Sequence, residues 1–484
     1  MPRSSALLVA LLLAGCSQQP KYVQPGLPTA PDYAADFRPG AAGPRAVEVA
    51  WRGFFRDPRL QALIARALDH NRDLRTAVLR IDEARGQYRI RRAAQSPDLA
   101  LTAGAQRSRS ADFGGGPNPM PGGGNQNFQG GAFTGNRFEI GAGISNFELD
   151  FWGRVRSLTE SARANYFATI HAQRAFQIGL IADVAEAYLT ERELDGRIAL
   201  AERALRSRTR ALEIGKLRLD AGVTSALDYR QIETLLTQAM TERANLRLQR
   251  AQARNSLEFL VGGPVPAPLP APLPLDGQGI VENIAAGLPS ELLTNRPDIV
   301  EAEERLRAAN ADIGAARAQF FPQISLTGAL GLASSALGGL FSGDALTWSF
   351  GGNANYSLFS TGRRANLDVV KARYGIAVAG YERAIQQGFR EVTDTLAARR
   401  FLIDRLASQQ RELAAQRDRA ELATLRYRNG VANYLEVLDA ERELFAAEQQ
   451  ILLTRREQLA NAVALYVALG GGIDPQTAAP LPPR

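Results

Sequence analysis

Residues 346–358 read LTWSFGGNANYSL, and their alternation decides what kind of protein this is. Leu346, Trp348, Phe350, Ala354, Tyr356 and Leu358 fall on one side of an extended chain, while Thr347, Ser349, Gly351, Asn353, Asn355 and Ser357 fall on the other. A period of two marks a strand with two different faces. The same alternation sets Ile324, Leu326, Leu330 and Leu332 against Ser325, Thr327 and Gly331, and returns more weakly at Leu99 and Leu101 and at Phe138, Ile140 and Ile144. Four strands per chain are predicted. An apolar face opposite a small polar one suits a soluble sandwich as well as a lipid-facing barrel, so alternation alone leaves both open. Length favours the membrane: a spanning strand needs about 9 to 11 residues. These runs reach that, with Trp348 and Tyr356 placed as interfacial aromatics. Four strands cannot close a barrel, which needs about eight, and an open sheet edge is not tolerated in lipid. Several chains must therefore contribute to one barrel.

Outward from these strands the chain repeats itself. Asn71-Arg72-Asp73-Leu74 returns as Asn295-Arg296-Pro297-Asp298-Ile299, and Pro97 to Thr102 (PDLALT) returns as Pro322 to Thr327 (PQISLT). Leu149 to Arg154 (LDFWGR) matches Leu358 to Arg363 (LFSTGR), and Leu217 to Val223 (LRLDAGV) matches Leu425 to Val431 (LRYRNGV). Most of the slack between the copies falls at Phe113 to Gly131, a glycine-rich tract without periodicity that reads as a surface loop. It is no phosphate cradle, because no Gly-Lys-Ser/Thr follows it. Between the copies Pro264 to Pro274 (PVPAPLPAPLP) reads as a stiff polyproline strap.

The remainder reads as helix. No proline occurs from 323 to 474 or from 122 to 263, and both spans are dense in Ala, Leu, Arg, Glu and Gln. A run from Arg363 to about Arg428 would be roughly 90 to 100 Å long at about 1.5 Å per residue. Such helices need partners along their length, and alanines such as Ala372, Ala377 and Ala384 permit close approach. Gly222-Val223 and Gly430-Val431 mark the turns between antiparallel helices.

The first fifteen residues stand apart. Arg3 supplies a basic start, Ala6 to Leu13 an apolar stretch, and Leu13-Ala14-Gly15-Cys16 a cleavage site, so 1–15 reads as a secretory leader too short to span a bilayer. Cys16 is the single cysteine, which leaves packing and assembly to stabilise an exported chain. A net charge of +7 is mild, and its arginines alternate with carboxylates along helices, which argues against nucleic-acid binding. Catalysis has little to stand on: His70 and His171 lie far apart in sequence, no second cysteine exists for a metal site, and acidic pairs such as Glu303-Glu304 fit solvated helix faces. The expected divisions are 16–60 as an anchored extended segment, 61–263 and 291–470 as the two repeats, 264–290 as the linker and 471–484 as a tail.

The tetrapeptide before and including Cys16 resembles a bacterial lipobox, which implies diacylglycerol on the thiol and an acylated amine; Ser17 resembles the signal for passage to the outer membrane. No other cofactor is implied. With duplicated helix-strand-strand-helix-helix order and the hairpin turns, the whole mature chain resembles the outer-membrane factors, the TolC and OprM-like channels of tripartite efflux pumps. The most specific passage is Tyr427 to Arg442 (YRNGVANYLEVLDAER), similar to the periplasmic tip of OprM-type members. The resemblance implies a mixed α and β membrane protein: a homotrimeric twelve-stranded β-barrel continuous with a twelve-helix periplasmic α-barrel, four strands per chain from two repeats. It implies a passive exit duct without enzymatic activity, working with a periplasmic adaptor and an inner-membrane transporter, lipid-anchored and spanning the outer membrane. By the same resemblance Leu435, Asp439 and Arg442 form the periplasmic gate, and the turns at Gly222, Val223, Gly430 and Val431 meet the adaptor. On residues alone, Asp439 and Arg442 read first as an ordinary exposed i, i+3 pair worth about 0.2–0.5 kcal/mol, and it is the resemblance that makes them a gate. Gln231 and Thr234 occupy the corresponding places in the first repeat, so the gate is expected to be asymmetric. A type I protein-secretion channel, a periplasmic adaptor and a structural coiled-coil lipoprotein are the competing readings; the adaptor should have one hairpin with a lipoyl-like module, and the coiled coil should lack strands.

Overall fold

A computed structural model describes residues 17–30, 43–110, 133–265, 268–285, 287 and 289–473. Cys16 and the glycine-rich tract from Phe113 to Gly131 lie outside the described residues. In chain order the main elements are α1 (Pro58–His70), α2 (Arg72–Ala93), β1 (Ala100–Ser110), β2 (Phe133–Glu148), α3 (Arg154–Asp220), α4 (Ala226–Val261), α5 (Pro297–Ala318), β3 (Gln323–Ser334), β4 (Leu346–Asn355), α6 (Thr361–Arg428) and α7 (Tyr434–Ala468). The chain ahead of α1 is not wholly extended, since Trp51–Phe54 makes one helical turn. At the end of the proline-rich linker Pro274 holds φ −64° and ψ 159°, the polyproline conformation.

The repeated Asn-Arg motif marks a helix break in each copy. In the first copy Asn71 ends α1; its side-chain oxygen accepts from the Leu74 N–H at 2.9 Å, and its amide donates to the Leu260 carbonyl at 2.9 Å. In the second copy Pro297 is the first residue of α5, and Arg296 before it donates to the Ala468 carbonyl at 3.0 Å and to Asp298 and Glu391. Proline suits the first helical position because its missing N–H would have no partner there. Each copy thus fastens a helix break to the end of its own hairpin.

The residues group into two compact units, each drawing on both halves of the sequence. One comprises Gln24–Glu83, Phe167–Arg305 and Val378–Arg484. Its core includes Phe54 stacked on Tyr466 at 4.0 Å between centroids. It also includes Asp57, which accepts from the Arg59 N–H to cap α1 while the Tyr188 hydroxyl donates to its other oxygen at 2.6 Å.

The other unit, Met1–Val23, Ala84–Tyr166 and Leu306–Ala377, holds one antiparallel sheet in the order β1-β2-β3-β4. Pairing rows such as Leu101–Ala142–Leu330–Trp348 gather the apolar residues on one face, and Thr102–Gly141–Gly331–Thr347 gather glycine and threonine on the other. A hollow against the sheet is lined by Thr102, Gly141, Gly331 and Ser349 of the small face together with apolar-face residues such as Ile140 and Leu330. The apolar face is exposed, Trp348 at 76% and Phe350 at 74%. Two sequence expectations shift here. Tyr356 and Leu358 lie beyond β4, whose last pair is Asn355 with Gln323; the next residue on β3's side is Pro322, which has no N–H to give a ladder. In β2 the register slips between Ile144 and Phe147, so Phe147 joins the apolar face out of step with Ile144. Trp152 closes the base of the sheet, its indole N–H donating to the Pro322 carbonyl at 2.9 Å and its ring stacking on Phe321. Residues 17–23 run along this base: Ser17 packs on Gly153, and Asn310 donates to the Pro20 carbonyl at 2.9 Å.

Among the described residues no helix is long and apolar enough to cross a membrane.

Candidate functional site at the hairpin tips

The two hairpins turn in the same way because the same backbone problem is solved twice. Gly222 and Gly430 both sit at φ +71°, where a side chain would be strained. At the first turn the Val223 N–H donates to the Arg218 carbonyl and Gly222 to Leu219; at the second, Val431 donates to Arg426 and Gly430 to Tyr427. This paired 6→1 and 5→2 pattern satisfies carbonyls that a helix end leaves without partners. The outgoing helices are capped by Ser225, which exchanges hydrogen bonds with Asp228, and by Asn433, which accepts from the Glu436 N–H at 3.2 Å. Fixed turns on both sides push Val223 and Val431 outward, 65% and 69% exposed, with Leu227 and Leu435 beside them.

Of the three expected gate residues, Asp439 and Arg442 meet: Arg442 Nη2 lies 2.7 Å from Asp439 Oδ1 and also reaches Glu443 at 3.0 Å. Leu435 takes no part in this cluster and stands 53% exposed one helical turn before Asp439. Arg419 of α6 was not legible in the sequence, and its Nη2 lies 2.5 Å from Asp439 Oδ2. Asp439 is thus held between a cation on its own helix and one across the hairpin. The only signal was position: Arg419 lies eleven residues before Gly430 and Asp439 nine after it, near-mirror places about the turn. Arg426–Glu436 and Arg417–Glu448 continue the same cross-hairpin series at 3.3 and 3.6 Å. Between α6 and α7 the packing is by small residues, Ala420 and Ala423 against Val437 and Ala440.

The first hairpin lacks this cluster. Gln231 and Thr234 stand where Asp439 and Arg442 do, and the Thr234 hydroxyl donates to the Arg230 carbonyl of its own helix at 2.9 Å. The hairpins are tied to each other instead. Arg218 donates to the Tyr427 hydroxyl at 2.5 Å with its guanidinium over the ring, and Tyr427 packs on Tyr434 at 4.9 Å between centroids. Deeper in, Arg208 donates to the Leu235 carbonyl at 3.0 Å and lies over Phe445. Burial pushes the Tyr434 hydroxyl up to about 12 and the Glu441 carboxyl above its usual range, the latter partly offset by Arg208.

Nothing at the tips has the layout of a reaction centre. Among the described residues no group of His, Cys, Asp and Glu could hold a metal ion; His70 faces the Arg66 carbonyl and His171 is buried.

Known proteins match this architecture along nearly its whole length. The family model described as outer membrane efflux protein matches residues 63–263 and 288–471. The chain is 41% identical over 477 residues to the antibiotic efflux pump outer membrane protein ArpC of Pseudomonas putida, covering 98% of this chain and 96% of that one. It is 40% identical to the outer membrane protein OprJ of Pseudomonas aeruginosa, covering 97% and 96%. Among solved structures, the open state of the MtrE outer membrane channel of Neisseria gonorrhoeae superimposes with a TM-score of 0.83 at 39% identity, covering 94% of this chain and 98% of that one. CusC does so with a TM-score of 0.82 at 36% identity, covering 94% and 100%. The relatives are transport components, and a strandless coiled coil is excluded by the sheet itself. The chain belongs to the outer membrane efflux protein family.

Proposed function

We propose that three copies of this chain close one twelve-stranded barrel in the outer membrane, continuous with a twelve-helix duct in the periplasm. The assembly serves as the passive exit of a tripartite pump. The observation that carries this reading is the sheet: an exposed apolar face, an opposite face of small residues, and two edges, β1 and β4, that pair with nothing among the described residues. In lipid those edges must be paired, and the β4 edge of one copy against the β1 edge of the next is the pairing that closes a ring. The apolar face then meets acyl chains and the small face lines a wide lumen.

The remaining parts follow. Relatives named for toluene and antibiotic efflux favour small molecules as cargo over secreted proteins. Gly222, Val223, Gly430 and Val431 present the docking surface to a periplasmic adaptor, which links the duct to an inner-membrane transporter. Leu435, Asp439 and Arg442 close the periplasmic end, with Arg419 as the further partner of Asp439. Cys16 carries lipid; Ser17 packs on Gly153 just below the strands, which suits an anchor in the near leaflet. Cysteines placed at Thr102 and Ser349 test the ring directly, because these strands share no edge within one chain. A short bifunctional cross-linker should give dimers and trimers from membranes; chains that remain single would sink the proposal.

A further inference from the structure

Along β1 the apolar face ends abruptly in charge. Leu101, Ala103 and Ala105 share a face with Arg107 and Arg109, because alternate residues of a strand do. The first three pair with Ala142, Ile140 and Phe138, and the arginines with Asn136 and Thr134, so both neighbouring strands change from apolar to polar at one level. Both arginines are exposed. No carboxylate of the four strands stands on their face: Glu139 is opposite Gly104 on the small face, where it pairs with Arg137 at 2.8 Å, and Glu148 binds Arg154 at the base.

Heights decide what these guanidiniums meet once the sheet spans the membrane, the reading on which this inference rests. Two residues advance about 6.8 Å along a strand, or about 5 Å along the axis of a barrel whose strands tilt by roughly 40°. Arg107 and Arg109 therefore stand about 5 and 10 Å beyond the last apolar row. The headgroup layer is about 5–8 Å thick on each side of the hydrocarbon, so Arg107 stands inside it and Arg109 just past its outer limit, within reach of it for a long side chain. The end of β1 away from α2 is the one that carries them, so the layer in question is the outer leaflet. Two guanidiniums about 7 Å apart on one face repel each other, and the planar fork of each donates two parallel N–H bonds to the paired oxygens of a phosphate. We infer that Arg107 and Arg109 form a binding site for the phosphate-bearing headgroup of an outer-leaflet lipid, which bridges the two guanidiniums.

The test is native mass spectrometry of the intact detergent-extracted channel, titrated with a diphosphorylated lipid A-type glycolipid, with the same lipid stripped of phosphate, and with inorganic phosphate. The wild type should hold the phosphorylated lipid about tenfold more tightly than the stripped one. In R107Q/R109Q that ratio should fall to about one, with R107K/R109K between. Equal ratios in wild type and R107Q/R109Q overturn the site, and so does displacement of the lipid by millimolar inorganic phosphate. Conductance in planar bilayers separates the two levels of failure. If both channels insert and conduct but bind lipid alike, only this site is wrong; a wild type that never inserts overturns the membrane reading as well.

Discussion

At the residue scale, the position of Arg419 changes what a mutation at the proposed gate should do. Read from the sequence, Arg442 is the partner whose loss frees Asp439; in the fold Asp439 keeps Arg419 after Arg442 is gone. Each pair is partly exposed, so about 0.2–1 kcal/mol is a fair value, equivalent to roughly 1.4- to 5-fold in a closed-to-open ratio per chain. Arg442→Ala alone should therefore raise single-channel conductance or open time modestly. R419A/R442A should exceed the sum of its parts, because only then does Asp439 lose every cation. Planar bilayer recordings showing no difference between the single and double variants would remove Arg419 from the proposed gate. A second residue-scale effect concerns Asp183 and Glu186 of α3, one turn apart. Burial raises both carboxyl groups; Asp183 raises Glu186 further, and Arg456 partly offsets it. A raised folded value means the native state holds the proton more tightly, so the stabilising contribution is full below the unfolded value and is lost as pH rises through the folded one. Glu186→Gln should raise the melting temperature at pH 7 and leave it nearly unchanged at pH 4.

At the element scale, the turns at Gly222 and Gly430 isolate one physical cost. A Cβ at either would meet nothing within 4 Å, so substitution by alanine is paid in backbone conformation alone, about 1–2 kcal/mol for a left-handed residue. Limited proteolysis should show the turn at Gly430→Ala cut roughly 5- to 30-fold faster where local opening is limiting, with Gly430→Asn less affected because Asn tolerates this region. Unchanged cleavage would mean the turn is not a fixed docking surface. These turns were legible in the sequence because glycine in a helix-forming run has few other reasons to recur at matched places. The strands and the length of α6 were legible for a similar reason: the pattern in Leu346, Trp348 and Phe350 and the long run without proline act over neighbours. The slip in β2 between Ile144 and Phe147 depends on the opposing strand, the break at Asn71 on the Leu260 carbonyl, and the partner of Asp439 on the register of a hairpin. None of these is a local property, so none was readable before the fold.

At the scale of the whole molecule, the proposed trimer answers what the sheet of one chain leaves open. A sheet whose two edges pair with nothing among the described residues, and whose exposed face carries Trp348 and Phe350, is unstable in lipid and prone to association in water. The barrel, once closed, should hold the assembly in the membrane without further help, whereas a lipid on Cys16 adds a tether. Cys16→Ser behind a leader that is not lipidated should therefore still insert and conduct, while intact mass loses the acyl groups; loss of insertion would make the anchor part of assembly. The most direct test of the account is the protein mass of the detergent-extracted particle by light scattering, with bound detergent subtracted. Closure of one barrel by three four-stranded sheets predicts three times the mass of the processed chain, and a monodisperse single-chain particle that retains its strand content would contradict it.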